Sequence, residues 1–150
     1  MRRGVIDIGS NSVRSMLWEN GSSLGKEAVI TKLGEGLAAS GVLCAPAKER
    51  TLEAVRLLKE KLISDGAASV CAFGTAAMRR AANGGDFGKE IESVLSVPVE
   101  IVSGEEEASL GLAGALNGRD GGIVDIGGAS SEISVCAGGK LVYSYSLDLG

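Results

Sequence analysis

An internal repeat constrains this chain more than any other feature of its sequence. The segment VIDIGSNSVRSMLWENGSSL near the N terminus matches IVDIGGASSEISVCAGGKLV near the C terminus. Four residues recur at a constant offset of 118 positions (125 minus 7): Asp7, Ile8, Gly9 and Ser12 return as Asp125, Ile126, Gly127 and Ser130. Each copy reads as a β-branched run, a turn, an alternating strand and a second turn that contains glycine. Two copies of one supersecondary unit predict a duplicated architecture.

The shared string D-I-G-x-x-S suits phosphate binding. An aspartate at a strand end can hold a hydrated divalent cation, and a glycine lets the backbone turn its N–H groups toward phosphate oxygens. One such string is weak evidence, but two at matched positions predict the two halves of a clamp. Asp7 is either a metal-facing carboxylate or a cap of its own turn. The predicted phosphate-binding residues are Ser10, Asn11 and Ser12 in the first copy, and Gly127, Gly128, Ala129 and Ser130 in the second.

The rest of the pattern predicts an α/β fold. Strands are expected at 4–8, 12–19 and 24–33 as an antiparallel meander, followed by a loop at 34–45. Further elements are a helix at 46–65, a strand at 68–73, a short helix from Thr75 to Arg80 with Thr75 as N-cap, a helix near 86–96, a strand at 99–102 and a helix at about 105–117 capped by Ser103. This alternation indicates parallel strands joined to the meander by right-handed crossovers, which makes a mixed sheet.

The composition excludes several classes of function. A net charge of −4 gives no long-range attraction to polyanions, and aromatic residues at 3% leave little for base stacking, so we expect no non-specific binding of nucleic acid. Histidine is absent, which leaves general-base work to carboxylates. The three cysteines have no C-x-x-C spacing, and the sequence shows no signal peptide and no membrane span, so we expect a protein of the reducing cytoplasm.

Six strings occur in the order and spacing of one known family. They are IDIGSNSVR at 6–14, KLGEGL at 32–37, GTAAMR at 74–79, VSGEEEASL at 102–110, VDIGGASSE at 124–132 and SLDLG at 146–150. The chain therefore resembles the N-terminal half of the exopolyphosphatases and guanosine-pentaphosphate phosphohydrolases, which belong to the actin/hexokinase/Hsp70 superfamily. The resemblance implies a ribonuclease H-like, actin-type fold with a mixed five-stranded sheet and helices on both faces. It implies a first lobe at 1–118 and the opening hairpin of a second, related lobe at 119–150.

The resemblance also implies roles for individual residues. Glu107, directly before alanine in the S-G-E-E-E-A string, matches the general base that activates water, and Glu106 is its nearest rival. Glu105 is more simply a helix-terminal charge. Oxygen-only ligands and a phosphate substrate favour Mg²⁺. The other matching positions are Asp125 and Glu132, as metal-linked catalytic carboxylates, and Arg14 and Arg79, as phosphate contacts.

The implied function is release of terminal phosphate from inorganic polyphosphate or guanosine pentaphosphate by metal-assisted water attack, a chemistry linked to the stringent response. The partners would be polyphosphate or guanosine penta- and tetraphosphate, and a homodimer is compatible with the resemblance. Two alternatives stay open. One is an ATPase or kinase of the same superfamily, and the other is a non-catalytic sensor of polyphosphate or guanosine tetraphosphate.

The sequence departs from the family pattern in two ways. The second loop of the family usually reads D-I-G-G-G-S-T-E, whereas this chain has Ala129 and Ser131. If position 129 needs a positive φ, the alanine methyl costs on the order of 1 kcal/mol. Family members also continue well past this length. We therefore expect a part of a longer protein, inactive or nearly so alone, with an exposed strand edge within 119–150.

Overall fold

A computed structural model shows the fold of the chain and describes residues 1–128, 130–147 and 149. By its contacts the chain divides into two compact units, Met1–Ile101 and Val102–Gly150. Each unit has its own sheet. Among the described helices, none combines the length and the apolar character that a bilayer-spanning segment needs.

The first unit is built on a mixed five-stranded sheet, as predicted. Its strands are β1 (Arg3–Ile8), β2 (Ser12–Glu19), β3 (Ser22–Ile30), β4 (Ser69–Gly74) and β5 (Val99–Ile101). They lie in the order β3-β2-β1-β4-β5, with β1 antiparallel to β2 and parallel to β4. The helices are α1 (Leu37–Ser40), α2 (Ala45–Ser64), α3 (Ala76–Arg80) and α4 (Gly84–Leu95). The predicted meander and the parallel extension are both confirmed.

Helix α2 covers one face of this sheet. Its buried residues include Leu58 and Leu62, which recur at helical spacing and share a core with Ile6 and Ile8 of β1. Both isoleucines have no exposed surface. Because side chains alternate along a strand, Asp7 between them lies on the opposite face. The packing of α2 therefore fixes which way the first aspartate of the repeat points.

One predicted strand end and one predicted loop in the first unit differ from the structure. β3 ends at Ile30 instead of 33, because the N–H groups of Thr31 and Lys32 both donate to the carbonyl of Asn11 at 3.0 Å. Lys32 also takes a φ of 50°, which no strand residue adopts. The chain then forms α1 inside the segment predicted as a plain loop. Long-range hydrogen bonds to Asn11, which local propensity does not encode, decide where β3 ends, whereas α1 is closed by local bonds such as Gly41 N–H to the carbonyl of Leu37.

The second unit is one helix packed on a three-stranded antiparallel sheet. Its elements are α5 (Gly104–Leu116), β6 (Gly121–Ile126), β7 (Ser131–Ala137) and β8 (Lys140–Leu147). The strands lie in the order β6-β7-β8, and α5 contacts all three. The predicted helix and the predicted opening hairpin of the second copy are thus present.

The internal repeat is confirmed in the strand register. In the first copy Asp7 pairs with Arg14, which in turn pairs with Ala28. In the second copy Asp125 pairs with Glu132, which in turn pairs with Ser146. Every member of the second set stands 118 positions after its counterpart in the first, as 132 minus 14 and 146 minus 28 show. The repeat therefore extends to residues whose identity has changed.

Irregular features of the backbone are repeated as well. The pairing of β2 with β3 shifts between Leu17 and Trp18, and that of β7 with β8 shifts between Val135 and Cys136, at the same offset. The next turn has positive φ at Asn20–Gly21 in one copy and at Gly138–Gly139 in the other. Asparagine and glycine are the residues that tolerate such turns. A bulge and a turn conserved between the copies indicate duplication of a whole three-stranded unit.

The two copies differ in how one sheet face is covered. Ile6 and Ile8 are fully buried beneath α2, whereas their counterparts Val124 and Ile126 are 66% and 75% exposed. Helix α5 packs on the other face of the second sheet, where Ser134 has no exposed surface. The second unit thus presents to solvent the face that forms the core of the first.

Candidate phosphate-binding and catalytic site

The first hairpin loop, residues 9–12, closes at the end of β1. The N–H of Gly9 donates to the carbonyl of Ser12 at 3.0 Å. A Cβ on Gly9 would stand only 3.0 Å from that same oxygen, so a larger residue would push the strands apart. Ser12 is buried, Ser10 is half-buried and Asn11 is exposed. Glycine therefore permits a tight loop whose tip remains accessible.

A second segment, the anchor loop (residues 31–37), donates hydrogen bonds to the carbonyl groups of the first hairpin loop. The carbonyl of Ser10 accepts from Gly34 N–H at 2.8 Å, and the carbonyl of Asn11 accepts from Thr31 and Lys32. All described peptide bonds are trans, so each N–H points away from the carbonyl of its own peptide group. The N–H groups of Asn11 and Ser12 are therefore turned away from the anchor loop. Such oriented amides favour an anion on that side.

The loop after β4 lies beside the end of β1. Parallel strands end at the same edge of a sheet, and here Thr75 N–H donates to the carbonyl of Ile8 at 3.2 Å. Thr75 holds the N-cap position of α3 as predicted, but its side chain makes no capping hydrogen bond. Helix α3 buries Ala77 and Met78 and leaves Arg79 half-buried in its last turn. The structure thus attaches the helix that carries Arg79 to the strand that carries the first aspartate.

Asp7 and Arg14 are direct cross-strand partners on the face opposite α2. They line a groove of about 380 Å³ whose other walls include the apolar side chains of Val5, Met16 and Phe73. Asp7 is half-buried and Arg14 is exposed. The sequence-predicted carboxylate and guanidinium of the first copy are therefore brought together.

The second hairpin loop repeats the geometry of the first. Gly127 N–H donates to the carbonyl of Ser130 at 2.8 Å, and a Cβ on Gly127 would stand 3.1 Å from that oxygen. Ser130 is buried like its counterpart Ser12. Gly128 is exposed, whereas its counterpart Ser10 is half-buried. The predicted phosphate contact at Ala129 lies outside the described residues. The rest of the predicted loop has the conformation that the repeat requires.

Asp125 and Glu132 face each other across this second hairpin. Glu132 is only 7% exposed, and its Oε1 accepts from the hydroxyl of Ser146 on β8 at 3.1 Å. Asp125 is exposed, and like charges on directly opposed residues destabilise a strand pair. A buried carboxylate beside another one is the arrangement that a cation stabilises.

The three glutamates at the start of α5 have different environments. Ser103 and Glu106 form a capping box, in which Ser103 N–H donates to Glu106 Oε2 at 2.8 Å and Glu106 N–H donates to the Ser103 hydroxyl at 3.2 Å. Two interactions with the Glu106 carboxylate, first the hydrogen bond from the Ser103 N–H and then that with the Ser103 side chain, lower the pKa of Glu106 below 4.5. Glu107 is half-buried and Glu105 is exposed. The carboxylate of Glu106, the rival of Glu107 for the role of general base, is therefore engaged in the helix cap.

The capping box predicts a pH dependence of stability. Because folding lowers the pKa of Glu106, its stabilising contribution is present above 4.5 and is lost as the pH falls through the lower folded-state value. We expect Glu106→Gln to lower the melting temperature at pH 7, and the difference from the native chain to shrink steadily as the pH falls below 4.5. Thermal unfolding followed by circular dichroism measures both. Glu105→Gln, in the same turn but outside the box, is the control, and a difference that persists in acid would contradict the prediction.

The start of α5 and the β8 strand border a common groove. This groove, of about 460 Å³, is lined by Gly104 and Glu105 on the helix and by Ser144 and Ser146 on the strand. Ser146 is the hydrogen-bond partner of Glu132. Within the second unit, the start of α5 and the hydrogen-bond partner of Glu132 therefore line one groove.

The donor set of the second hairpin fits a magnesium ion. Mg²⁺ usually takes one or two protein carboxylates and completes its shell with water and substrate phosphate. Asp125 and Glu132 supply two carboxylates, while no group of three or more acidic, thiol or imidazole side chains converges within 1–128, 130–147 and 149. Among its described residues, the second unit thus offers two carboxylates that suit an oxygen-ligated cation.

Sequence reasoning missed two contributors to this geometry. Ser146 begins the family string SLDLG, which assigns it no role, but the repeat could have identified it, because the offset places it opposite Glu132 as Ala28 stands opposite Arg14. The anchor loop was noticed only as part of a family string. Its hydrogen bonds to Ser10 and Asn11 involve backbone groups, which leave no residue-specific signal.

Comparison with known proteins identifies first the fold and then the family. The chain superposes on a ROK hexokinase from Thermus thermophilus with a TM-score of 0.53 at 16% identity, covering 95% of this chain and 48% of that one, which shows the actin/hexokinase fold. The model of the Ppx/GppA phosphatase family matches residues 16–150. The chain therefore belongs to the Ppx/GppA phosphatase family.

Two solved structures of bacterial proteins are similar over the whole chain. One is the PPX-GPPA enzyme of Aquifex aeolicus, with 32% identity and a TM-score of 0.79, of which 53% is covered. The other is an exopolyphosphatase from Cytophaga hutchinsonii, with 26% identity and a TM-score of 0.89, of which 51% is covered. The chain spans about half the length of these relatives.

Proposed function

We propose that the protein carrying this chain is a phosphoanhydride hydrolase that releases terminal phosphate from inorganic polyphosphate or guanosine pentaphosphate. Membership of the Ppx/GppA phosphatase family supports phosphatase chemistry. The observation that carries the proposal is the second hairpin, where Asp125 faces a buried Glu132 next to a tight glycine loop. A structural hairpin gains nothing from two opposed carboxylates, because their repulsion destabilises it.

In this proposal each predicted residue has one task. Glu107 accepts a proton from the attacking water, because its neighbour Glu106 is committed to the helix cap. The turned-out N–H groups of Asn11 and Ser12, with Arg14 and Arg79, stabilise negative charge on the phosphoryl oxygens. Asp125 and Glu132 hold Mg²⁺, which neutralises phosphate charge when it is bound. Asp7, at the matching position of the first copy, is a further candidate carboxylate for a cation.

We also propose that the boundary between the two lobes lies near Gly118 in the sequence. The repeat supports this boundary, since the second copy of the strand unit starts with β6 at Gly121 and the first copy starts with β1 at Arg3. On this division 1–118 is the first lobe and 119–150 is the beginning of the second.

Ala129 favours one alternative function. A side chain at the loop position that is glycine in the family pattern can weaken catalysis while it leaves binding intact. The protein would then act as a sensor of polyphosphate or guanosine tetraphosphate. An ATPase or kinase of the same superfamily is the other alternative.

Phosphate release decides among these functions. The protein carrying this chain is incubated with polyphosphate, guanosine pentaphosphate or ATP, with Mg²⁺ or with EDTA, and free phosphate is measured. Magnesium-dependent release from polyphosphate or pentaphosphate supports the proposal. Binding of these ligands without turnover would favour the sensor, and use of ATP alone would favour an ATPase or kinase.

A further inference from the structure

The anchor loop depends on one side chain from helix α2. Arg50 Nε donates to the carbonyl of Thr31 at 2.9 Å, and Arg50 Nη2 donates to Glu35 Oε2 at 2.7 Å. One planar guanidinium therefore joins the two ends of the turn from 31 to 35. Inside this turn, Glu35 N–H donates to the carbonyl of Lys32 at 3.0 Å.

The turn that Arg50 holds is the one that orients the first hairpin loop. Thr31 and Lys32 donate to the carbonyl of Asn11, and Gly34 donates to that of Ser10. Lys32 has a φ of 50°, a conformation that costs energy for a lysine and persists only when its surroundings fix it. Arg50 itself is held in place by its helix, whose neighbouring residues Thr51, Ala54 and Val55 are buried.

We infer that Arg50 and Glu35 are a positioning pair, which fixes the amides of Asn11 and Ser12 for binding a terminal phosphate. The inference rests on the proposed function of the first hairpin loop. The chain of contacts runs from the guanidinium to Thr31 and Glu35, from the anchor loop to two carbonyls, and from these through trans peptide groups to two N–H groups. Neither Arg50 nor Glu35 belongs to the D-I-G-x-x-S motif.

The ion pair of Arg50 and Glu35 contributes little to the stability of the fold. A loss of phosphate binding in an Arg50 variant can therefore be distinguished from unfolding. The Arg50 and Glu35 side chains are 42% and 58% exposed, and exposed ion pairs stabilise proteins only weakly. Arg56 and Glu53 form an ion pair of 2.6 Å on the same helix with 53% and 71% exposure. Neither residue forms a hydrogen bond or an ion pair with the anchor loop as the structure describes it. Arg56→Gln is therefore a matched control for Arg50→Gln.

The test uses the protein carrying this chain, with inorganic tripolyphosphate as the probe. Amide chemical shifts and hydrogen exchange are recorded by NMR for residues 9–12 and 31–35, and binding is followed by titration. Arg50→Gln should shift the amides of Asn11, Ser12 and Gly34 and weaken binding about fivefold. Arg50→Lys should restore only part of the affinity, because one ammonium does not reproduce the fork of the guanidinium. Arg56→Gln should change neither, with a similar melting temperature.

The outcomes separate the inference from the proposed function. If the native protein does not bind tripolyphosphate, the proposed function of the first hairpin loop is contradicted. The amide shifts measured without ligand then decide whether Arg50 positions that loop. If Arg50→Gln and Arg56→Gln have the same shifts, exchange rates and affinity, the inference is wrong. Full recovery by Arg50→Lys would also overturn it, since charge alone would then suffice.

Discussion

A Glu107→Gln variant of the protein carrying this chain should release phosphate from polyphosphate about 10² to 10⁴ times more slowly than the native protein. Glutamine keeps the size and hydrogen-bonding ability of the side chain but cannot accept the proton of the attacking water. Initial rates at saturating polyphosphate with Mg²⁺ measure the effect. The binding of polyphosphate should change little, because the loss falls on the chemical step.

Two neighbouring residues provide controls for this experiment. Glu105→Gln removes an exposed charge in the same helical turn, and Glu106→Gln changes the capping box. Both variants should keep a rate within about tenfold of the native value, because neither residue touches the attacking water in the proposed mechanism. If Glu106→Gln were the inactive variant and Glu107→Gln kept its rate, the assignment of the base would be reversed.

The two copies of the repeat should differ in hydrogen exchange by a large factor. Strands β2 and β7 each lie between two partner strands, so their backbone pairing is matched. The face that α2 buries in the first unit is exposed in the second, where Val124 and Ile126 replace the buried Ile6 and Ile8. Local opening of β7 should therefore need less free energy. We expect its amides to exchange on the order of 100 times faster than those of β2.

Exchange measured by NMR at each pair of counterparts tests this prediction. Leu17 and Val135, which flank the repeated bulge, are a suitable pair, and Ser15 and Ile133 are another. Equal protection in both strands would show that the apolar face of the second sheet is covered in solution. Concentration dependence of the exchange rates would then reveal whether a second copy of the chain covers it.

The sequence alone determined the duplicated hairpin and much of its chemistry. The offset of 118 residues predicts two related glycine loops. The spacing of seven residues between Asp125 and Glu132 also predicts that they lie close together across the second loop, although their exact pairing came from the structure. Ser103 was predicted as a helix cap for a similar reason, because capping is a local interaction between residues three positions apart.

Residues whose importance depends on distant partners were decided only by the tertiary structure. The end of β3, the anchor loop and the fork of Arg50 follow from hydrogen bonds to backbone groups about 20 residues away, as with Thr31 and Asn11. Any residue type supplies such backbone groups, so the sequence carries no trace of them. The half-burial of Glu107 is decided in the same way, because it depends on how α5 packs, whereas the cap that involves Glu106 is local.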